Sequence, residues 1–200
     1  MHSQRMIFGI IFLVCVTAGC ATKVIRMEPG KVTDFSGSWN DTDARLVAEE
    51  MIKDCLSRNW INDFNKSSGK IPTVIVGSVR NNTFEHISSN VFIEDLEREL
   101  MNSGKVQFVV AKDARVEVRQ ERVDQQAGNT EHSTISEKGH EIGADFMLQG
   151  NIASIKDQVK GKYAVFYQVT LELVDMKTNQ KKWISQKEIK KLVVRPSTKL

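Results

Sequence analysis

The stretch Tyr-Gln-Val-Thr-Leu-Glu-Leu at residues 167–173 alternates apolar and polar side chains without a break. Successive side chains of a β-strand point to opposite faces, so this alternation predicts a strand with one face turned toward a core. The face predicted to be apolar carries Tyr167, Val169, Leu171 and Leu173.

Two strand-like runs flank this one in the C-terminal third of the chain. They cover residues 146–155 and 181–190, while the central run extends over 163–175. Turns at 157–161 and 176–180 would join the three runs. The sequence therefore predicts a three-stranded antiparallel meander.

The residues before the meander alternate between helical and strand patterns. Helices are predicted over residues 40–65, 89–103, 113–126 and 134–142, and strands over 73–79 and 106–110. Asn40 or Asp41 would cap the first helix, and Gly104 would end the second. With helices early and the meander late, the order predicts an α+β fold: one mixed sheet with helices packed mainly on one face.

The first twenty residues have the organisation of a bacterial export signal. An apolar run at residues 6–16 is shorter than the roughly 20 residues that a membrane-spanning helix needs, but fits a secretory signal. Thr17-Ala18-Gly19-Cys20 follows and resembles a bacterial lipobox, in which small side chains admit the peptidase and the cysteine thiolate accepts a diacylglyceryl group. An ordinary secretory signal, cleaved after Val16-Thr17-Ala18, and an uncleaved anchor are the alternatives.

This interpretation divides the chain into four parts. They are a signal peptide at 1–19, a lipidated N-terminus and tether at 20–36, a single globular domain at 37–191 and a tail at 192–200. Cys20 is the predicted lipid attachment site. Ala21 is not acidic, which by resemblance to Gram-negative lipoprotein sorting favours the outer membrane, with the domain facing the periplasm.

The cysteine count agrees with lipidation. Cys15 lies in the segment to be removed and Cys20 would be consumed as a thioether, so only Cys55 would remain and no intramolecular disulfide could form. Among apolar neighbours, Cys55 is expected to be a small buried hydrophobe. A Cys20–Cys55 disulfide would become possible only if Cys20 carried no lipid.

Composition and motifs argue against several other functions. The 28 Lys and Arg against 25 Asp and Glu are interspersed, so no nucleic-acid footprint is predicted. His86, His132 and His140 lie in different predicted elements without metal-ligand spacing, so neither a metal nor a cofactor is predicted. Only a cluster of these histidines with carboxylates in a cleft would favour a hydrolase or amidase.

One short match to a catalytic motif is interpreted as chance. Ser67 and Lys70 have the Ser-x-x-Lys spacing of penicillin-binding enzymes, but they lie in a predicted turn and the companion motifs are missing. No catalytic set is found, so neither enzymatic activity nor a small-molecule substrate is predicted.

Trp39 precedes the first helix and has two interpretations. It can pack as the hydrophobic staple of an N-terminal cap, which is favoured, or it can be an aromatic anchor for a partner.

Five blocks of the sequence, in order, resemble a known family. They are residues 39–52, 74–77, 95–100, 143–150 and 167–173. Behind a lipobox, they resemble the LpoB-type outer-membrane lipoproteins, which activate penicillin-binding proteins and whose fold is similar to the N-terminal domain of TolB.

The resemblance implies a non-enzymatic regulator of peptidoglycan synthesis. Its partner would be a bifunctional penicillin-binding protein with transglycosylase and transpeptidase activities, bound through a face that the sequence does not indicate. Some members carry a long Pro-rich tether, whereas this chain has 16 residues with a single Pro at 21–36. The alternative is a component of an envelope assembly or secretion system, because TolB-like folds also occur in lipoproteins of curli secretion and flagellar accessory systems.

Overall fold

The computed structural model describes residues 25–194 apart from 29 and 35. The predicted signal peptide, the predicted lipid site Cys20 and residues 195–200 lie outside the described residues. The chain divides into two compact units, Met1–Lys31 and Val32–Leu200. In the first unit, the described residues form neither helix nor strand, and the Lys31 N–H donates to the Glu28 carbonyl at 3.1 Å.

The second unit holds the helices and strands that the structure describes. They are α1 (Asp41–Ser57), α2 (Trp60–Ser68), β1 (Thr73–Asn82), α3 (Ser89–Asn102), β2 (Gln107–Phe108), α4 (Lys112–Asp124), β3 (Phe146–Val159), β4 (Lys162–Asp175) and β5 (Lys181–Val194). A π-helical turn at Gln125–Asn129 and a 3-10 turn at His132–Thr134 follow α4.

The five strands form one mixed sheet in the order β2-β1-β3-β4-β5. Strands β2 and β3 pair parallel with β1, whereas β3, β4 and β5 pair antiparallel. The predicted α+β class, mixed sheet and C-terminal meander are therefore confirmed.

Helices α1 and α3 cover the inner face of the sheet. The four apolar residues predicted to share a face of β4 are each at most 1% exposed, and Val169, Leu171 and Leu173 belong to one core with residues of α1 and α3. In this core Val47, Met51 and Ile52 come from α1, and Phe92 and Leu96 from α3. Helical and strand periodicity thus identified both sides of the core.

The single helix predicted over residues 40–65 is two helices in the structure, so the prediction was wrong where it continued the helix through residues 58 and 59. Helix α1 stops at Ser57 because Arg58 adopts an extended conformation with ψ 159°. At this end of the helix, the Cys55 carbonyl accepts from the Arg58 N–H at 3.3 Å and from the indole N–H of Trp60 at 2.8 Å. The Trp60 ring packs edge-on against Phe146 with centroids 5.0 Å apart, so the break directs Trp60 into the core.

The predicted helix at 134–142 is not formed. Residues 135–145 contain neither helix nor strand up to the start of β3, and Gly139 has a positive φ of 89°. Helix α4 does form and, as predicted, is exposed, with no buried residue among its described side chains. Residues 134–142 lack an apolar face that could pack on the core, and a short helix without such packing is only marginally stable.

Cys55 has the environment expected of a core residue. Its side chain is 1% exposed and its thiol is free. Burial raises the pKa of the Cys55 thiol to about 12, so the thiolate is scarce at neutral pH. The prediction of a small buried hydrophobe is confirmed.

Candidate functional site

The chain enters the second unit through a short segment that leads into α1. Asn40 caps this helix: its side-chain oxygen accepts from the Asp43 N–H, and the Asp43 carboxylate accepts from the Asn40 N–H, both at 3.0 Å. This reciprocal pair is a capping box, and it fixes the first turn of α1. Of the two predicted caps, Asn40 is the one used.

Trp39 packs into the molecule immediately before this cap. Its ring meets Phe92 and Tyr167 edge-on, with centroids 6.1 and 5.6 Å apart. Its backbone N–H donates to the Glu85 carboxylate at 3.1 Å. These contacts favour a role for Trp39 in packing at the cap over a role as an anchor for a partner.

Tyr167 secures the same segment from the sheet side. Its hydroxyl lies 2.6 Å from Oε1 of Glu85 and 3.0 Å from the carbonyl of Gly37, and it can donate its hydrogen to either acceptor. Burial, followed by the neighbouring Glu85 carboxylate, raises the pKa of Tyr167, so the hydroxyl stays protonated as a donor. Glu85 therefore links the entry segment to the centre of β4.

An ion-pair cluster fixes the entry segment to strand β5. The ammonium of Lys191 lies 2.6 Å from carboxylate oxygens of both Asp34 and Asp43, and it donates to the Ser38 carbonyl at 3.2 Å. Burial acts to lower the pKa of Lys191, but the hydrogen bonds to the two carboxylates outweigh burial and raise it. The Lys191 and Asp43 side chains are each only 10% exposed, so this pair is largely shielded from water.

Changing Lys191 to methionine is expected to lower the free energy of unfolding by about 3 kcal/mol. The substitution keeps the length of the side chain but leaves the Asp43 carboxylate buried without its partner, and breaking a buried pair costs about 3–5 kcal/mol. Urea unfolding followed by circular dichroism measures the change.

Lys187 provides the matched control on the same strand. It pairs with Glu50, but the two side chains are 34% and 60% exposed, and exposed pairs contribute about 0–1 kcal/mol. Lys187→Met is therefore expected to change stability by less than about 1 kcal/mol. Equal losses in the two variants would contradict the assignment of a buried cluster.

The residues of the Ser-x-x-Lys match do not contact each other. The Ser67 hydroxyl donates to the Phe64 carbonyl at 3.0 Å, whereas the Lys70 ammonium binds the Asp145 carboxylate at 2.8 Å. Lys70 thus acts as a structural cation between two loops, and Ser67 satisfies a helix carbonyl. The geometry supports chance as the origin of the motif.

The three histidines lie on the surface. His140 makes a 3.4 Å contact with Glu137, with both side chains more than three quarters exposed, and His86 lines a shallow cleft of about 510 Å³ beside Trp39. His132 is also exposed. Within the described part of the chain, no group of three or more His, Cys, Asp or Glu residues is placed to hold a metal ion.

The outer face of the sheet changes character along its length. Near its middle it is polar, with the pairs Gln149–Glu172 and Asn151–Thr170. Beyond them, the ends of β3, β4 and β5 place nine residues side by side, six of them apolar, which we call the distal patch. Its three rows are Ile155–Phe166–Lys190, Asp157–Ala164–Leu192 and Val159–Lys162–Val194.

Four of the apolar side chains of the distal patch are mostly in water. Ile155, Val159, Leu192 and Val194 are between 57% and 70% exposed. Sequence reasoning missed this surface because it ended the flanking strands at residues 155 and 190, whereas β3 and β5 continue to Val159 and Val194.

No helix among the described residues is long and apolar enough to cross a bilayer.

The architecture is that of an α+β domain with one mixed five-stranded sheet. The family model described as "Peptidoglycan-synthase activator LpoB" matches residues 43–189, which is more than half of the chain. The chain therefore belongs to the LpoB family of peptidoglycan-synthase activators, and the predicted family resemblance is confirmed. No protein with a curated description matches the chain.

Several solved structures are similar to the chain at low sequence identity. The LpoB C-terminal domain from Escherichia coli is 17% identical with a TM-score of 0.44, over 74% of this chain and 98% of that domain. Lipoprotein GNA1162 from Neisseria meningitidis is 11% identical with a TM-score of 0.38, over 64% of this chain and 88% of that one. The PelC dodecamer from Paraburkholderia phytofirmans is 19% identical with a TM-score of 0.35, over 60% and 71%.

Proposed function

We propose that the chain is an outer-membrane lipoprotein, attached through Cys20 and facing the periplasm, that binds and activates a bifunctional penicillin-binding protein. The observation that carries this proposal is the match to the LpoB family model over residues 43–189. The lipobox ending at Cys20 supports the anchor, and Ala21 supports the outer membrane as its destination. The proposal retains a signal peptide at 1–19, a tether at 20–36 and a domain from residue 37, and β5 extends that domain beyond the predicted boundary at 191 to Val194.

The proposed activity is binding without catalysis by this chain. An activator needs only to bind the active conformation of the synthase more tightly than the inactive one. A difference of about 1–3 kcal/mol in binding free energy corresponds to a shift of about 5–150-fold. The separate hydrogen bonds of Ser67 and Lys70 are consistent with this, since they leave no nucleophile and base in contact.

A reconstituted assay tests the proposal directly. Residues 20–200 carrying Cys20→Ser are added to each bifunctional synthase of the same organism in detergent, and binding and the rate of glycan polymerisation are measured. We expect one synthase to bind and to be stimulated at least about fivefold. The same chain, unfolded before addition, is the control. Absence of both binding and stimulation with every such synthase would contradict the proposal.

A further inference from the structure

The distal patch lies at the end of the sheet where the chain enters the second unit. Lys191 binds Asp34, and the neighbouring residue Leu192 belongs to the patch. The Gly37 carbonyl accepts a hydrogen bond from Tyr167, and a Cβ atom added at Gly37 would lie 2.7 Å from the Val193 side chain, at the same end of the strands. The entry segment and the patch therefore occupy opposite faces of one end of the sheet.

The chain between the predicted anchor and this end is short. Val32, where the second unit begins, is twelve positions after Cys20, and at full extension this length of chain spans at most about 40–43 Å. A flexible chain of this length has a mean reach of only about 17–21 Å. If residue 20 carries the lipid anchor, the bilayer surface lies within about 40–43 Å of Val32, at the end of the sheet that carries the distal patch.

The charges around the patch also indicate its partner. Lys162 and Lys190 belong to the patch and Lys160 lies in the adjoining hairpin turn, and none of the three forms an ion pair with a residue that the structure describes. Asp157 is the single acidic residue of the nine. Exposed branched aliphatic side chains surrounded by lysines are suited to an interface with anionic headgroups above acyl chains.

We propose that the distal patch docks on the anionic surface of the membrane that holds the lipid anchor. This inference rests on the lipid attachment that is part of the proposed function. The apolar side chains enter the headgroup region, and Lys160, Lys162 and Lys190 bind lipid phosphates. The docked domain then presents its opposite end, which carries the turn between β4 and β5, to the periplasm.

The test measures binding of the unlipidated chain to vesicles. Residues 20–200 with Cys20→Ser are sedimented with vesicles of phosphatidylethanolamine and phosphatidylglycerol, and in parallel with vesicles of phosphatidylcholine alone. We expect binding to the anionic vesicles to be at least tenfold stronger, and to fall when salt is raised because exposed charges are screened.

Two variants of the distal patch and one matched control variant test whether the patch binds the vesicles. Leu192→Asp and, separately, the pair Lys162→Glu with Lys190→Glu are each expected to weaken vesicle binding at least tenfold. Ile184 lies on the same outer face of β5 and is 59% exposed, but it lies at the opposite end of the strand. Ile184→Asp is therefore expected to change vesicle binding less than twofold. Circular dichroism of each variant confirms that it is folded.

Several results would overturn the inference. Absence of binding to anionic vesicles would do so, as would equal effects of Leu192→Asp and Ile184→Asp. Self-association that Leu192→Asp abolishes, without vesicle binding, would assign the patch to a second copy of the chain. Loss of synthase binding in Leu192→Asp, with synthase binding retained in Ile184→Asp, would assign it to the synthase.

The two proposals can fail independently. Synthase stimulation is measured in detergent without vesicles, and the vesicle assay contains no synthase. Vesicle binding without synthase stimulation would contradict activation and leave the docking surface in place, whereas stimulation without vesicle binding would contradict docking alone.

Discussion

Changing Gly150 to alanine is expected to destabilise the domain by about 3 kcal/mol or more. A Cβ atom at this position of β3 would clash with the Thr170 carbonyl oxygen and would lie 3.1 Å from the Leu171 Cα of the neighbouring strand. These are backbone atoms of β4, and they cannot withdraw without breaking the pairing of the two central strands. Overpacking in a close-packed core costs about 1–3 kcal/mol, and backbone contacts place Gly150 at or above the upper limit.

Two other glycines make this prediction specific. At Gly77, the contacts below 3.4 Å are with the Met147 side chain, whose sulfur lies 2.9 Å away and can shift, so Gly77→Ala is expected to cost less than Gly150→Ala. Gly143 precedes β3, has no positive φ and has nothing within 4 Å of an added Cβ, so Gly143→Ala is expected to be neutral within about 1 kcal/mol.

Urea unfolding of the three variants gives the comparison. We expect the losses of stability to rank Gly150→Ala, Gly77→Ala and Gly143→Ala, from largest to smallest. If Gly150→Ala were as stable as Gly143→Ala, the close approach of β3 to β4 at residue 150 would be wrong, and with it the geometry of the central strand pair.

The parts of the fold that depend on local pattern could be predicted from the sequence. The alternation in β4 identified its buried face because one side of that strand meets α1 and α3 while the other is polar at Gln168, Thr170 and Glu172. The capping box formed by Asn40 and Asp43 involves residues three positions apart, so it can be recognised from a short local motif.

The features that the sequence did not reveal depend on contacts between distant residues. The break at Arg58 accompanies packing of Trp60 on Phe146, and helical periodicity continues through the break without a Pro or Gly to mark it. The Lys191–Asp34 and Tyr167–Glu85 pairs join residues 157 and 82 positions apart. No local spacing encodes such pairs.

The distal patch was missed for a related reason. Prediction of a strand from alternation requires one polar face, and at the ends of β3 and β5 the outer face is itself partly apolar. The last four residues of β5, Lys-Leu-Val-Val at 191–194, therefore show no alternation although they are paired with β4. An apolar outer face therefore removes the apolar–polar alternation from which the length of the strand would be predicted.

Changing Cys20 to serine is expected to remove nearly all of the chain from the outer-membrane fraction. A serine hydroxyl would not replace the thiolate that is proposed to accept a diacylglyceryl group. One acyl chain alone gives only reversible binding, with an association constant of about 10⁴ M⁻¹, whereas two lipid signals already suffice for stable anchoring. Loss of all acyl chains therefore changes localisation far more than any exposed substitution in the domain.

Separation of inner-membrane, outer-membrane and soluble fractions, followed by mass spectrometry of the N-terminus, measures this change. Cys15→Ser is the matched control, because residue 15 lies in the segment predicted to be removed and the mature chain would be identical. Washing the membranes with concentrated salt before analysis weakens the lysine contacts proposed for the distal patch, so any chain that remains is held by lipid. If Cys20→Ser stayed in the washed outer membrane, or if an unmodified thiol were found at residue 20 of the native chain, both the anchor and the proximity argument for docking would fail.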